Sequence, residues 1–159
     1  MKKLKVLGLL LIFFSITLHG QYSVYVTQNK HFADFNVNIS DNVIMEDIGV
    51  EISKNVILED FTVSFTPIKS KADVIITDRK YSDFEVNIQK MFADIDIEAS
   101  ENVIMEDIGI EIVNNAYRAD YLIYNETDTC TTEILVCSLL PIINKYLEDD
   151  KKIKGLLEF

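Results

Sequence analysis

Tryptophan is absent from this 159-residue chain, and the residue types from which most enzyme sites are built are scarce: two histidines, two cysteines, five glycines and two prolines. Each shortage excludes something. Of the histidines only His31 lies beyond residue 20, and it falls in a connector. A lone connector histidine is usually just solvated, and the serines show neither a nucleophile-elbow pattern nor a triad signal. Five glycines do not form a loop that could cradle phosphate. Cys130 and Cys137 are spaced too widely for the Cys-x-x-Cys pattern of redox catalysts, and no histidine near them completes a metal site. Basic residues are in deficit, 15 against 26 acidic ones, for a formal net charge of -11. That charge excludes the basic footprint needed to bind nucleic acid or an anionic membrane. Paired carboxylates are plentiful, but any acidic repeat protein offers such pairs, so they do not by themselves indicate glycoside chemistry. The expectation is a non-enzyme: no residue is assigned as catalytic, as a metal ligand or as a cofactor contact.

What the chain does have begins with a targeting segment. Lys2, Lys3 and Lys5 precede an apolar stretch from Val6 to Leu18, too short to span a bilayer comfortably, and a cleavage point follows Gly20. Residues 1–20 therefore read as a signal peptide, and the chain as an exported protein, periplasmic or extracellular, with no membrane insertion after cleavage. Removing that segment, with its three lysines and no acid, takes the net charge from -11 to -14.

The rest is duplicated. Asn42-Val-Ile-Met-Glu-Asp-Ile-Gly-Val-Glu-Ile52 returns 60 residues later as Asn102-Val-Ile-Met-Glu-Asp-Ile-Gly-Ile-Glu-Ile112, and residues 32–53 and 92–113 agree at 14 of 22 positions. Residues that open alternating apolar segments repeat the same irregular spacing in each half: Ser23, Asp34, Asp47, Asp60 and Asp73, then Asp83, Asp94, Asp107, Asp120 and Glu133. After each head, apolar residues occupy every second position, as in Phe35, Val37 and Ile39 or Ile48, Val50 and Ile52, the pattern of a strand with one buried face. Two units differ. Val74-Ile75-Ile76 and Ile134-Leu135-Val136 are continuous apolar runs, expected as strands buried on both faces at the centre of the core. Connectors of six or seven residues are too long for tight hairpins and too short for helical crossovers. Val43, Met45, Val56 and Leu58 within them are expected to pack on the core. The reading is an all-β tandem array of about ten short strands over residues 21–140, in halves 21–80 and 81–140.

Units such as Ile76-Thr-Asp-Arg-Lys-Tyr-Ser-Asp-Phe-Glu-Val86 and Met91-Phe-Ala-Asp-Ile-Asp-Ile97, with the recurring pairs Ala33-Asp34, Ala72-Asp73, Ala93-Asp94 and Ala119-Asp120, resemble the repeats of the septoil-knot family. The resemblance covers roughly residues 22–138. It implies an all-β fold whose chain winds around itself into a deep knot, and it brings no activity with it.

The repeated aspartates raise an electrostatic question. Stacked in strict register, they would stand about 5 Å apart and repel one another. Each is expected to be satisfied locally by backbone N–H groups at the turn before its strand. Cation bridging is the alternative, although the calcium loops of β-rolls and EF-hands are missing. Asp94, Asp96 and Glu98 form the densest acidic group and read as a solvated strand face. An exported chain with two cysteines suggests a Cys130–Cys137 disulfide. Seven residues of helix rise about 10.5 Å, so a bridge requires the connector before Ile134 to fold back; two free thiols are the alternative. Residues 141–159 read as a C-terminal helix opening at Pro141, with Ile142, Ile143, Tyr146 and Leu147 on one face, capping the array or docking a partner. Two functions stand side by side: an exported structural or protein-interaction module, and an acidic module binding calcium or carbohydrate through the repeated aspartates. The acidity alone also fits a basic protein partner.

Overall fold

A computed structural model describes residues 21–27, 33–41, 46–80, 82–89, 93–101, 106–127 and 129–149. The segment read as a signal peptide, His31, Val43, Met45 and the chain beyond residue 149 lie outside the described residues. Nine strands are present among the described residues: β1 (Tyr22–Thr27), β2 (Phe35–Ser40), β3 (Ile48–Ser53), β4 (Phe61–Phe65), β5 (Val74–Thr77), β6 (Phe84–Ile88), β7 (Ile95–Ser100), β8 (Ile108–Ile112) and β9 (Tyr121–Asn125). They are followed by one long helix, α1 (Thr132–Asp149). The strands close into a barrel in the order β1-β5-β9-β4-β8-β3-β7-β2-β6. Every pairing is parallel.

That order is a double winding. Each strand is followed in sequence by the strand two places further around the ring, so the first circuit fills alternate places and the second fills the gaps. The 60-residue duplication is thus one circuit, and equivalent strands lie side by side: β1 with β6, β2 with β7, β3 with β8 and β4 with β9. Parallel neighbours need a return path, and here each step along the chain skips one strand of the ring only. Seven extended residues reach roughly 23–25 Å, enough to retrace a strand of five or six residues.

The winding explains why the expected ten strands become nine. Steps of two visit every place of a closed ring only when the number of places is odd. A tenth strand would fall on an occupied position. The unit headed by Glu133 therefore leaves the sheet, and Ile134-Leu135-Val136, expected as a strand, forms the first turns of α1. The helix opens nine residues before Pro141, which lies inside it. Instead of capping the array, it fills the barrel. Every residue from Leu135 to Ile143 is buried, on all sides of the helix, as a helix in the middle of a core requires. It packs against inward-facing Val37, Val50, Val63, Val74, Ile97 and Ile110, each fully buried. The core centre expected at these residues is therefore found there, as helix rather than strand. The other continuous run, Val74–Thr77, is a strand buried on both faces.

Pro141 has no N–H for the carbonyl of Cys137 and loosens the turn before it. In that turn the Tyr22 hydroxyl donates to the Ser138 carbonyl at 2.9 Å. The Ser138 hydroxyl donates back to the Leu135 carbonyl at 2.7 Å. The connectors do less for the core than expected. Val56 is buried, but Ile57 is 89% and Leu58 76% exposed. The connector around them lies against β8, where a Cβ on Gly109 would stand 2.5 Å from the Leu58 carbonyl oxygen.

Candidate functional site

The repeated aspartates sit at the rim where strands begin, and all eight do the same job. The Asp34 carboxylate accepts the N–H of Glu85 at 2.8 Å, and its own N–H donates to the Glu85 carbonyl at 2.7 Å. Asp47 is joined in this way to Asp96, Asp60 to Gly109 and Asp73 to Leu122. Asp94 is joined to Asn36, Asp107 to Gly49 and Asp120 to Thr62. Asp83 accepts the N–H of Ser23 at 2.7 Å and returns its own N–H to the Ser23 hydroxyl. In a regular parallel ladder the acceptor for that strand N–H would be the carbonyl two residues before the head. Here the short Asp side chain takes the place of that carbonyl as acceptor. The backbone N–H groups are found, but they belong to strands 49 to 60 residues away rather than to the local turn.

Two members of the acidic group at β7 are paired across the sheet: Asn36 donates to Asp94 at 3.1 Å and Asn38 to Asp96 at 3.0 Å. Among the described residues no three His, Cys, Asp or Glu side chains are placed to hold a metal ion.

The two cysteines are separate thiols, correcting the expected disulfide. Cys137 is fully buried in α1. Cys130 lies just before Thr131, whose carbonyl and hydroxyl accept the N–H groups of Leu135 and Ile134 and so cap the helix. The chain between the cysteines is helix from Thr132 onward and climbs away rather than folding back. Burial pushes the Cys137 thiol up to about 12, with Glu133 adding to the shift, and burial raises Cys130 as well.

A concavity opens at the other rim, where strands end and α1 enters the barrel. It measures about 970 Å³, within the range of ligand sites. Its floor is aliphatic: Ile39, Ile52, Ala99 and Leu135, all buried. Among the described residues its rim carries Asp41, Glu51, Glu101 and Glu133 against a single cation, Lys54. Ser40, Ser53 and Ser100, the last residues of the adjacent strands β2, β3 and β7, add hydroxyls. Glu133 is held below the usual carboxylate range, first by the Thr131 side chain and then by a backbone hydrogen bond at the helix start, while nearby Asp41 opposes the shift. Sequence reasoning missed this group. Its one sequence signal is that Ser40-Asp41 and Ser100-Glu101 are equivalent Ser–acid pairs in the two halves.

A smaller cavity of about 270 Å³ lies beside the end of β5. There Lys69 and the Thr77 hydroxyl bind the Glu126 carboxylate, with Arg79 4.0 Å away, and lower its pKa. Its one salt-bridged carboxylate is thus already engaged.

Comparison of the chain with protein-family models, with curated proteins and with solved structures finds no match to any of them.

Proposed function

We propose that this chain is an exported, non-enzymatic protein-interaction module, a rigid barrel that presents its acidic mouth to a protein partner. The observation that carries the reading is the mouth itself: an open concavity of about 970 Å³ with four carboxylates on its rim and one cation. A helix buried from Leu135 to Ile143 and a closed sheet give the rim a fixed shape. Export is supported by the Lys2–Lys5 and Val6–Leu18 pattern. A water-facing barrel is supported by its outer face, where Asn38, Glu85 and Asp96 stand at positions that a membrane barrel would give to apolar residues. The double winding also supports the resemblance to the septoil-knot family, and we read the chain as threaded in that manner. The alternative, calcium or carbohydrate binding through the repeated aspartates, has less support, because each of them already holds a strand N–H.

The test is crosslinking capture with tagged protein exported in its native host. One stoichiometric protein partner, crosslinked at the mouth, is the expected result. A preparation that captures no protein and instead melts higher with calcium or a glycan would transfer the assignment to the ligand-binding alternative.

A further inference from the structure

Resting on that reading, we infer that the mouth is built for one chemical class of partner: an extended peptide segment bearing lysine or arginine side chains. The cavity is shaped for an organic cation with an aliphatic stem. Its floor of Ile39, Ile52, Ala99 and Leu135 is a hydrocarbon surface, and its acids stand above that floor on the rim. A lysine or arginine side chain has the same two parts, a methylene stem that covers apolar surface and a charged head that stays near water. Other ligands fit less well. An anion meets four carboxylates. A sugar finds no aromatic platform, since the lining contains no Phe, Tyr or Trp. A bare divalent cation finds no three carboxylates placed to hold it among the described residues.

The rim also has length. Asp41 follows β2, Glu101 follows β7 and Glu51 lies in β3, and these strands are neighbours in the order β3-β7-β2. Neighbouring strands stand about 4.8 Å apart, so the carboxylates are spread along an arc that meets successive side chains of an extended chain rather than one compact cation. At one end of the lining Ile57 is 89% exposed, an aliphatic contact left open to a partner.

The experiment titrates a fluorescein-labelled hexa-arginine peptide into the folded chain at low salt. Two paired variants remove the same charge from exposed positions: Asp41→Asn with Glu101→Gln at the mouth, and Glu46→Gln with Glu59→Gln outside its lining. The expected result is binding that the mouth pair weakens roughly fivefold or more, the scale of two exposed charge contacts, and that the distant pair changes less than twofold. Lys54→Glu, which removes the one rim cation, strengthens it. Equal weakening by both pairs would reduce the effect to diffuse charge and overturn the inference, as would spermine displacing the peptide at equal charge concentration, or no binding at all. Partner capture separates this inference from the broader function. A partner retained by the mouth pair keeps the interaction module and removes the mouth as its site. Peptide binding at the mouth with no captured partner keeps the site and removes the module.

Discussion

Asp47 and Asp96 are joined at two points across the barrel wall: the Asp47 N–H donates to the Asp96 carbonyl at 2.8 Å, and the Asp47 carboxylate accepts the Asp96 N–H at 3.0 Å. One residue thus supplies both ends of a ladder rung, and the side chain is the half a substitution can remove. Asp47→Ala leaves a strand N–H without its acceptor and is expected to cost about 1–2 kcal/mol. Asp47→Asn keeps a carbonyl oxygen of the same reach and should cost less than half as much. Urea midpoints of the two variants check this. Equal losses would mean that the charge, not the hydrogen bond, is what the rim requires.

Gly109 tests the outward crossing of the connectors. A methyl group there meets the Leu58 carbonyl oxygen at 2.5 Å and the Glu59 Cα at 3.3 Å, both backbone atoms that cannot rotate aside. Gly109→Ala is expected to destabilise by about 1–3 kcal/mol, the usual cost of overpacking. Gly109 lies inside a strand, where a glycine often marks close approach by another backbone. A variant as stable as the parent would show that this connector does not press on β8.

The strand starts were legible before any coordinates. Every strand from β2 to β9 begins on the residue after its aspartate, as Phe35 follows Asp34 and Tyr121 follows Asp120. Alternation reports which face a side chain takes, not which strand lies beside it, so the parallel pairing of β2 with β7 had no local signal. The tenth unit misled for a related reason. Ile134-Leu135-Val136 is compatible with a buried strand or a buried helix, and Pro141 resembled a helix start because that is where proline is best tolerated. What decided it was closure of the ring, a property of all nine strands together. The mouth was hidden in the same way. Asp41, Glu51, Glu101 and Glu133 are scattered along the chain, and only the ring order and the inward turn of α1 bring them to one rim.

The position of α1 inside the barrel makes its side chains sensitive to truncation. Leu139 and Ile142 are buried within the barrel, and the closed wall has little freedom to collapse onto a void. Leu139→Ala or Ile142→Ala is expected to cost about 2–5 kcal/mol. Tyr22→Phe, which removes only the hydroxyl on the Ser138 carbonyl, is expected to cost about 1 kcal/mol. Thermal or urea unfolding ranks the three. A smaller loss at Leu139 than at Tyr22 would place the helix outside the barrel.

Two separate thiols, one of them inside the barrel, give a chemical prediction. In the folded chain a thiol reagent should label Cys130 slowly and Cys137 not at all, since Cys137 is fully buried and its thiol titrates at about 12. In denaturant without reductant, two thiols per chain should react. Two thiols that react only after reduction would restore the disulfide.

The same burial sets the alkaline limit of the fold. Cys137 rises from 9.0 to about 12, and Tyr22 lies well above its ordinary value of 10.0, in both cases chiefly because burial disfavours the ionised form. Tyr121 shifts the same way through burial and its hydrogen bond with Tyr146. For an acid whose folded pKa is raised, the unfolded chain releases its proton first. The stabilisation is complete below the unfolded value and is lost as pH climbs toward the folded one. Stability should therefore begin to fall near pH 9, where an unfolded Cys137 ionises, and fall more steeply above 10 as the tyrosines join it. The acid side runs the other way. Glu126 is held below its ordinary 4.5 by Lys69 and Thr77, so its contribution is present above that value and fades as pH drops through the lowered one. Urea midpoints from pH 3 to 11 should show both limbs. Cys137→Ala should flatten the alkaline limb between about pH 9 and 10 and leave the acid limb unchanged. An alkaline limb that keeps its slope in that variant would mean that the thiol is not buried in the folded chain.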